Sequence, residues 1–338
     1  MWDHDFRANQ FSNRTHPCHP YNRLITVEYN GRLGNNLAAY ATLWYYSKVL
    51  DNVTAIITPN MKRNLQKAFP HISLPAYEIP HSCKKEFIQI QQVRAHEKIV
   101  KLFDNDLLAF VNIGLYINDV NLYHRYRRDI LCEFQFSESI SATVKAFRDH
   151  LHSLHYQNSK QSDRLRLVGV HVRRTDYKAW MARRVKQGLV DENFFLRAME
   201  LMVDRMGKLG KEERLMFIVT SDDSRWCKAK FSQFKLNYTI IYTIDHYPLV
   251  RQKYLDTNNF LGCRNKKCND AIGREYVHFD LAVMSIMNYN IFDYGTFGFW
   301  GAYLSQGEIT IGSDLVLDYT KDSVIKAGVE GFIFLHSP

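Results

Sequence analysis

The segment 165–177, Leu-Arg-Leu-Val-Gly-Val-His-Val-Arg-Arg-Thr-Asp-Tyr, runs an apolar strand straight into His171, Arg173, Arg174 and Asp176. Open α/β sheets do their ligand chemistry at that end of a strand. A guanidinium is permanently charged and its planar fork fits phosphate oxygens two at a time, so a strand-end Arg-Arg can neutralise a diphosphate without a metal ion. The competing reading is a solvated pair that answers nearby carboxylates. Strand periodicity puts His171 and Arg173 on one face and Arg174 on the other, so one arginine is expected on phosphate and the other in the loop as a brace. Transfer to a hydroxyl also needs a group to take the acceptor's proton, and His171 and Asp176 are the local candidates. A lone histidine on a strand is otherwise a satisfied core residue.

Two further turns follow strands: Ser221-Asp222-Asp223 and Gly295-Thr296-Phe297-Gly298. Right-handed crossovers bring all strand C-terminal ends to one sheet edge, so the three turns can line one crevice. Thr296 suits a helix N-cap, behind which free N–H groups and a positive dipole end face any phosphate. A carboxylate at 222–223 can accept both donors of a guanine edge, or Asp222 or Ser221 can simply cap a helix. Upstream, Gly31-Arg32-Leu33-Gly34-Asn35-Asn36 joins a strand to a helix, a nucleotide-like half-unit that offers backbone N–H groups to an anion.

Other chemistries fit less well. The chain has neither Gly-x-Gly-x-x-Gly nor a Walker A sequence, which argues against a dinucleotide dehydrogenase and a P-loop kinase. Gly31-x-x-Gly34 matches the clamp of KH modules, but those are far shorter and leave the arginine turn unexplained. Asp104-Asn105-Asp106 has the form of a turn that holds metal and diphosphate, against the plainer reading of a solvated loop. His16-Pro17-Cys18-His19 has ligand residue types and no partner cluster at zinc spacing.

The elements that must position these residues follow from periodicity. Strands are expected at 24–29, 53–57, 99–103, 165–172, 215–220, 239–244, 290–294 and 308–311, and helices at 35–50, 122–134, 137–152, 192–206, 225–234, 276–288 and 297–304. Repeated βα alternation in the second half implies a parallel, doubly wound sheet. The polar stretch 155–163 reads as a surface connection, giving a stem-like segment at 1–23 and domains at 24–157 and 158–338.

At 338 residues the chain can bury two cores of ordinary size, and 46% hydrophobic with 23% charged residues describes a globular protein. A net charge of +9 asks for an anionic partner, which nucleic acid, a nucleotide sugar or an anionic membrane surface would each satisfy. No apolar run approaches the roughly 18 residues of a membrane span, and Met1-Trp2-Asp3-His4-Asp5 reads as neither anchor nor signal peptide. Sequons at Asn13, Asn52 and Asn237 and six cysteines point to the secretory pathway; Cys263 and Cys268 could close a short loop.

Taken together, His171-Val-Arg-Arg-Thr-Asp-Tyr177, Thr220-Ser-Asp-Asp-Ser-Arg-Trp-Cys227, Asp280-Leu-Ala-Val-Met284 and Gly295-Thr-Phe-Gly-Phe-Trp-Gly-Ala-Tyr-Leu304 resemble the galactoside α-1,2-fucosyltransferase family. Gly31-Arg-Leu-Gly-Asn35 and Tyr40-Ala-Thr-Leu43 are similar to its first motif, and the likeness runs from about residue 24 to 312. The resemblance implies a GT-B-like α/β fold, two Rossmann-like domains facing a cleft. It implies GDP-β-L-fucose as donor, a galactose-terminated glycan as acceptor, inversion, no metal, no cofactor and no nucleic-acid partner. It further implies the luminal domain of a Golgi type II membrane protein, attached only through an anchor that this sequence does not show.

Residue by residue, the donor diphosphate falls to Arg173 and Arg174, with Arg32 and Asn35, Ser221 and Asp222, and Thr296, Phe297 and Gly298 carried over as donor-binding positions. Related α-1,6 enzymes place a glutamate base downstream of the motif, where this chain has Lys178-Ala-Trp-Met181, so the base stays open between His171 and Asp176. The stretch from Tyr254 to Gly273 is longer than the family pattern. The alternative from another class is a catalytically idle RNA- or glycan-binding protein on a sugar-nucleotide fold.

Overall fold

A computed structural model describes residues 23–28, 31–90, 96–104, 109–114, 117–158, 164–184, 188–207, 213–234, 238–246, 266–305, 307–315 and 318–336. The first half contains β1 (Arg23–Thr26), α1 (Leu33–Val49), β2 (Thr54–Ile56), α2 (Pro59–Gln66), β3 (Ile88–Gln89), α3 (His96–Phe103), β4 (Ala109–Asn112), α4 (Val120–Tyr123), α5 (Arg127–Glu133) and α6 (Glu138–Asn158). The second contains β5 (Arg164–Val172), α7 (Tyr177–Arg184), α8 (Glu192–Gly207), β6 (Glu213–Ser221), α9 (Ser224–Phe231), β7 (Thr239–Tyr242), α10 (Lys266–Ser285), β8 (Tyr289–Phe292), α11 (Thr296–Ser305), β9 (Ile309–Ser313), α12 (Asp318–Lys326) and β10 (Phe332–Leu335).

Two parallel sheets result, with strand orders β2-β1-β4-β3 and β10-β9-β8-β5-β6-β7. The six-stranded sheet starts at its centre and grows outward first one way and then the other. Its order reverses between β5 and β8, and ligands in open α/β sheets bind in the crevice at such a reversal. β5 suits the central position because Leu165, Leu167, Val168, Val170 and Val172 are all buried, the near-continuous apolar run of a strand covered on both faces.

Three expectations change. Residues 99–103 belong to helix α3, not a strand: Ile99 and Phe103 are buried four residues apart while Lys98 and Lys101 are exposed, the spacing of one helical face. Asp104 therefore follows a helix end, and Asp106 lies outside the described residues. The single helix expected at 122–134 is broken into α4, a 3-10 turn over His124–Tyr126, and α5. Thr296 is the first residue of α11 and does not cap it from the preceding position. Asn13, Asn237, Cys18, Cys263, Asp106 and the His16–His19 cluster lie outside the described residues, as does most of 254–273.

The two sheets are joined by packing. Helix α1 is buried along Leu33–Gly34 and Asn36–Tyr46, more completely than one amphipathic face requires, because it is covered by its own sheet and by α11. On α11, Trp300 stacks on Tyr123 at 5.6 Å between ring centroids and meets Phe134 edge-on at 5.3 Å. Arg127 donates to the Tyr303 carbonyl at 2.9 Å. At the end of α5, Glu133 accepts from the Tyr40 hydroxyl, from Trp44 Nε1 (2.9 Å) and from Ser73 Oγ (2.6 Å). One carboxylate thus ties α1, α5 and the loop at 73 together.

One packing contact has a pH consequence. Burial, helped by the charge of Lys67, pushes His278 on α10 down to about 4. The depressed value makes the neutral form the folded one. Its contribution is present above the ordinary histidine range near 6.5 and is lost as the pH falls from there toward 4. We expect about 2 kcal/mol of stability to disappear between pH 7 and pH 5, and His278→Gln to flatten that slope in urea unfolding.

Candidate active site

The strand ends of β6, β5 and β8 lie side by side, since β5 pairs with β6 from Arg164↔Glu213 to Val172↔Ser221 and with β8 from Val168↔Tyr289 to His171↔Phe292. The three turns singled out in sequence therefore share one edge at the strand-order reversal. β8 delivers Asp293, whose side chain is 1% exposed. Its Oδ2 accepts the Arg173 N–H at 2.6 Å and its Oδ1 the Tyr294 N–H at 2.7 Å. Tyr294 returns its hydroxyl to the Arg173 carbonyl at 2.9 Å. Both backbone groups of Arg173 are thus held by the end of β8. Burial pushes the Asp293 carboxyl up, and His171 and the two N–H donors oppose that rise.

The side chains of the arginine pair part company just past the end of β5. Arg173 places Nη1 2.8 Å from Asp222 Oδ2 and Nη2 against Asp176 Oδ1. Arg174 lies over the Trp226 ring at 3.6 Å from its centroid, donates to the Val190 carbonyl at 3.2 Å, and has Nε 4.0 Å from Asp223 Oδ2. Arg173 faces the turn. Arg174 is folded down against α9, in a stacking contact that guanidinium makes well.

Asp222 organises the turn. Oδ1 accepts the Arg174 N–H at 2.9 Å, and Oδ2 accepts both the N–H (3.3 Å) and the hydroxyl of Thr175. The cap of α9 is Asp223, which accepts the Trp226 N–H at 3.1 Å, so the alternative of capping by Asp222 or Ser221 is met by their neighbour instead. Ser221 Oγ accepts the Asp223 N–H at 2.9 Å.

His171 is 5% exposed. Its ring lies 5.0 Å from that of Phe297, and a Cβ on Gly298 would stand 2.9 Å from its Nδ1. The first turn of α11 covers it. Nδ1 is 3.6 Å from Asp293 Oδ1, too far for a hydrogen bond, and has no hydrogen-bond partner among the described residues. Asp176, by contrast, is an exposed residue at the rim.

The first half reaches the same place. Gly31 has φ +81°, the left-handed conformation that lets the chain turn from β1 into α1. Arg32 is the N-cap residue of α1 without a side-chain cap, and its guanidinium extends to Asp176 Oδ2 at 3.1 Å. Asn35 Oδ1 accepts the Thr296 hydroxyl at 2.7 Å, which explains why Thr296 is not a cap: it bonds across the two halves. A Cβ on Gly34 would meet Phe297 N at 2.5 Å and Thr296 Oγ1 at 2.8 Å. The starts of α1 and α11 therefore abut, and two helix N-termini with their positive ends converge beside Arg32 and Arg173. Such an arrangement is fit to hold a multiply charged anion.

The profile of Glycosyl transferase family 11 matches residues 5–243, well over half of the chain. The chain belongs to this family. Among curated relatives, the family 11 chain is 27% identical over 289 residues to galactoside 2-alpha-L-fucosyltransferase Sec1 of Mus musculus, covering 86% of this chain and 66% of that protein. It is 28% identical over 305 residues to galactoside alpha-(1,2)-fucosyltransferase 1 of Leontopithecus chrysomelas, covering 88% and 70%. It thus spans just under two thirds of the length of the Sec1 relative. Among solved structures, NodZ alpha-1,6-fucosyltransferase soaked with GDP-fucose superposes with a TM-score of 0.50 at 13% identity, covering 87% of this chain and 96% of that one. The family 11 chain therefore has the GT-B-like architecture of two facing Rossmann-like units.

Sequence reasoning missed Asp293, Tyr294 and Trp226. A carboxylate directly after the Ile291-Phe292 end of a strand is the available signal for Asp293, because a buried charge needs specific partners.

Proposed function

We propose that this protein transfers L-fucose from GDP-β-L-fucose to the 2-hydroxyl of a terminal galactose on glycoprotein or glycolipid glycans, with inversion and without a metal ion. The observation that carries the reading is the likeness to galactoside 2-alpha-L-fucosyltransferases over 86% of the chain. The convergence of Arg32, Arg173 and two helix N-termini supports it, since that is what a departing nucleoside diphosphate needs.

In this scheme the galactose O2 attacks the anomeric carbon from the face opposite GDP, and the bond from that carbon to the β-phosphate oxygen breaks. GDP leaves with the electron pair, and Arg173, Arg32 and the α1 and α11 N–H groups stabilise its charge. The proton of the attacking hydroxyl passes to the exposed Asp176 carboxylate. Asp293 and Tyr294 hold the Arg173 backbone in place from below, His171 packs under the first turn of α11, Asp222 and Arg174 shape the turn, and Ser221, Asn35, Thr296, Phe297 and Gly298 complete the donor side. Residues 24–157 are the acceptor side, 158–338 the donor domain and 1–23 a stem-like segment.

We place the protein in the Golgi lumen as part of a type II membrane protein. The disulfide at Cys83 suits an oxidising compartment, and the Asn52 sequon is exposed at a turn. Among the described residues no helix is long and apolar enough to cross a membrane. The test is incubation of the purified protein with GDP-fucose and a panel of β-galactosides in EDTA. Transfer to galactose is the expected outcome. Folded protein that transfers to no galactoside would contradict the reading, and tight, salt-sensitive RNA binding without turnover would replace it. Strict metal dependence would bring back Asp104 and Asp106.

A further inference from the structure

Both arginines that face the crevice are already held by carboxylates of the chain itself. Arg173 lies between Asp222 and Asp176, and Arg32 reaches Asp176 from the other half. The two carboxylates are not equivalent. Asp222 also holds Arg174 N–H, Thr175 N–H and Thr175 Oγ1, so it cannot leave without releasing the turn. Asp176, with a side chain 46% exposed, holds only the two arginines among the described residues. It is also the only described side chain that bridges a first-half cation to a second-half cation at this edge.

We propose that Asp176 is a displaceable latch: its carboxylate occupies the two guanidinium sites that a donor diphosphate takes, so donor binding releases it toward the acceptor hydroxyl. This rests on the reading of the crevice as a donor site. A diphosphate offers more charge and more oxygens to Arg32 and Arg173 than one carboxylate, and it repels a carboxylate that remains beside it. The exchange couples donor binding to the availability of Asp176, and so orders the reaction with donor before acceptor. It also makes the carboxylate a cost to donor affinity, the opposite of an ordinary binding residue.

The test is calorimetric titration with GDP of the whole protein and of Asp176→Asn, followed by kcat and donor KM for each. Asparagine keeps the size of the side chain and its aptitude at the start of α7 while removing the charge. Asp176→Asn is expected to bind GDP roughly three- to thirty-fold more tightly, with the gain shrinking at high salt, while kcat falls. Asp222→Asn is expected to bind GDP more weakly, because it loosens the turn. Equal or weaker GDP binding by Asp176→Asn, beside a wild type that binds GDP, would overturn the latch alone. A wild type that binds no GDP would overturn the donor site and the latch with it. If Asp176→Asn does not fold, Asp176→Ser, also a good helix-start residue, carries the same expectation.

Discussion

Arg173→Ala is expected to lower fucosyl transfer by about 10²–10³-fold with little change in stability, whereas Arg174→Ala is expected to act through folding of the turn. Arg173 is the cation of the motif whose guanidinium faces the crevice, and one preorganised charge on a leaving group is worth roughly this factor. Its pair with Asp176 lies at the exposed rim and contributes little to stability, and Asp222 keeps the Arg174 N–H and the N–H and hydroxyl of Thr175 when Arg173 is removed. Arg174 instead stacks on Trp226 and ties the turn to Val190. Losing that contact is expected to cost about 1–2 kcal/mol. Activity and urea unfolding of both variants check the contrast. Equal loss of activity in the two, with folding unchanged, would contradict the division of labour.

Gly34→Val is expected to push the two halves apart where the starts of α1 and α11 abut. A Cβ there meets backbone at Phe297 N and Thr296 C, 2.5 and 2.7 Å away, and neither can move without shifting the start of α11. Overpacking of this kind costs about 1–3 kcal/mol, and a displacement of about 1 Å in a positioned group can cost 10²-fold in rate. Thr296 would also lose its bond to Asn35. Transfer is therefore expected to fall by about 10²-fold, while circular dichroism still reports native helix and strand content. Near-wild-type activity would show that the abutting helix starts are not part of the site.

The sites read from sequence and the sites found in space differ in an instructive way. Residues at the ends of long apolar strands were legible, because the near-continuous apolar run of 165–172 shows where the strand stops and the polar turn of Arg173 and Arg174 begins. The convergence of three turns followed from parallel topology, and β6, β5 and β8 are neighbours. The misreading of 99–103 came from a short apolar run in which helix and strand have nearly the same composition. Thr296 looked like a cap because threonine before a helix usually is one; its partner, Asn35, lies 261 residues away and no local rule could supply it. The same holds for Arg32 with Asp176 and for Asp293 beneath Arg173. Long-range polar pairs are set by how the halves dock, and that depends on aromatic packing of Trp300 against Tyr123 and Phe134, which carries no periodic signature.

The most direct test of the central claim is the linkage of the product. Purified protein, GDP-fucose and a β-galactoside acceptor in EDTA are expected to yield a single product with fucose α-linked to O2 of the terminal galactose. Fucose on any other hydroxyl, a β-linkage, or no product from protein shown to be folded would contradict it.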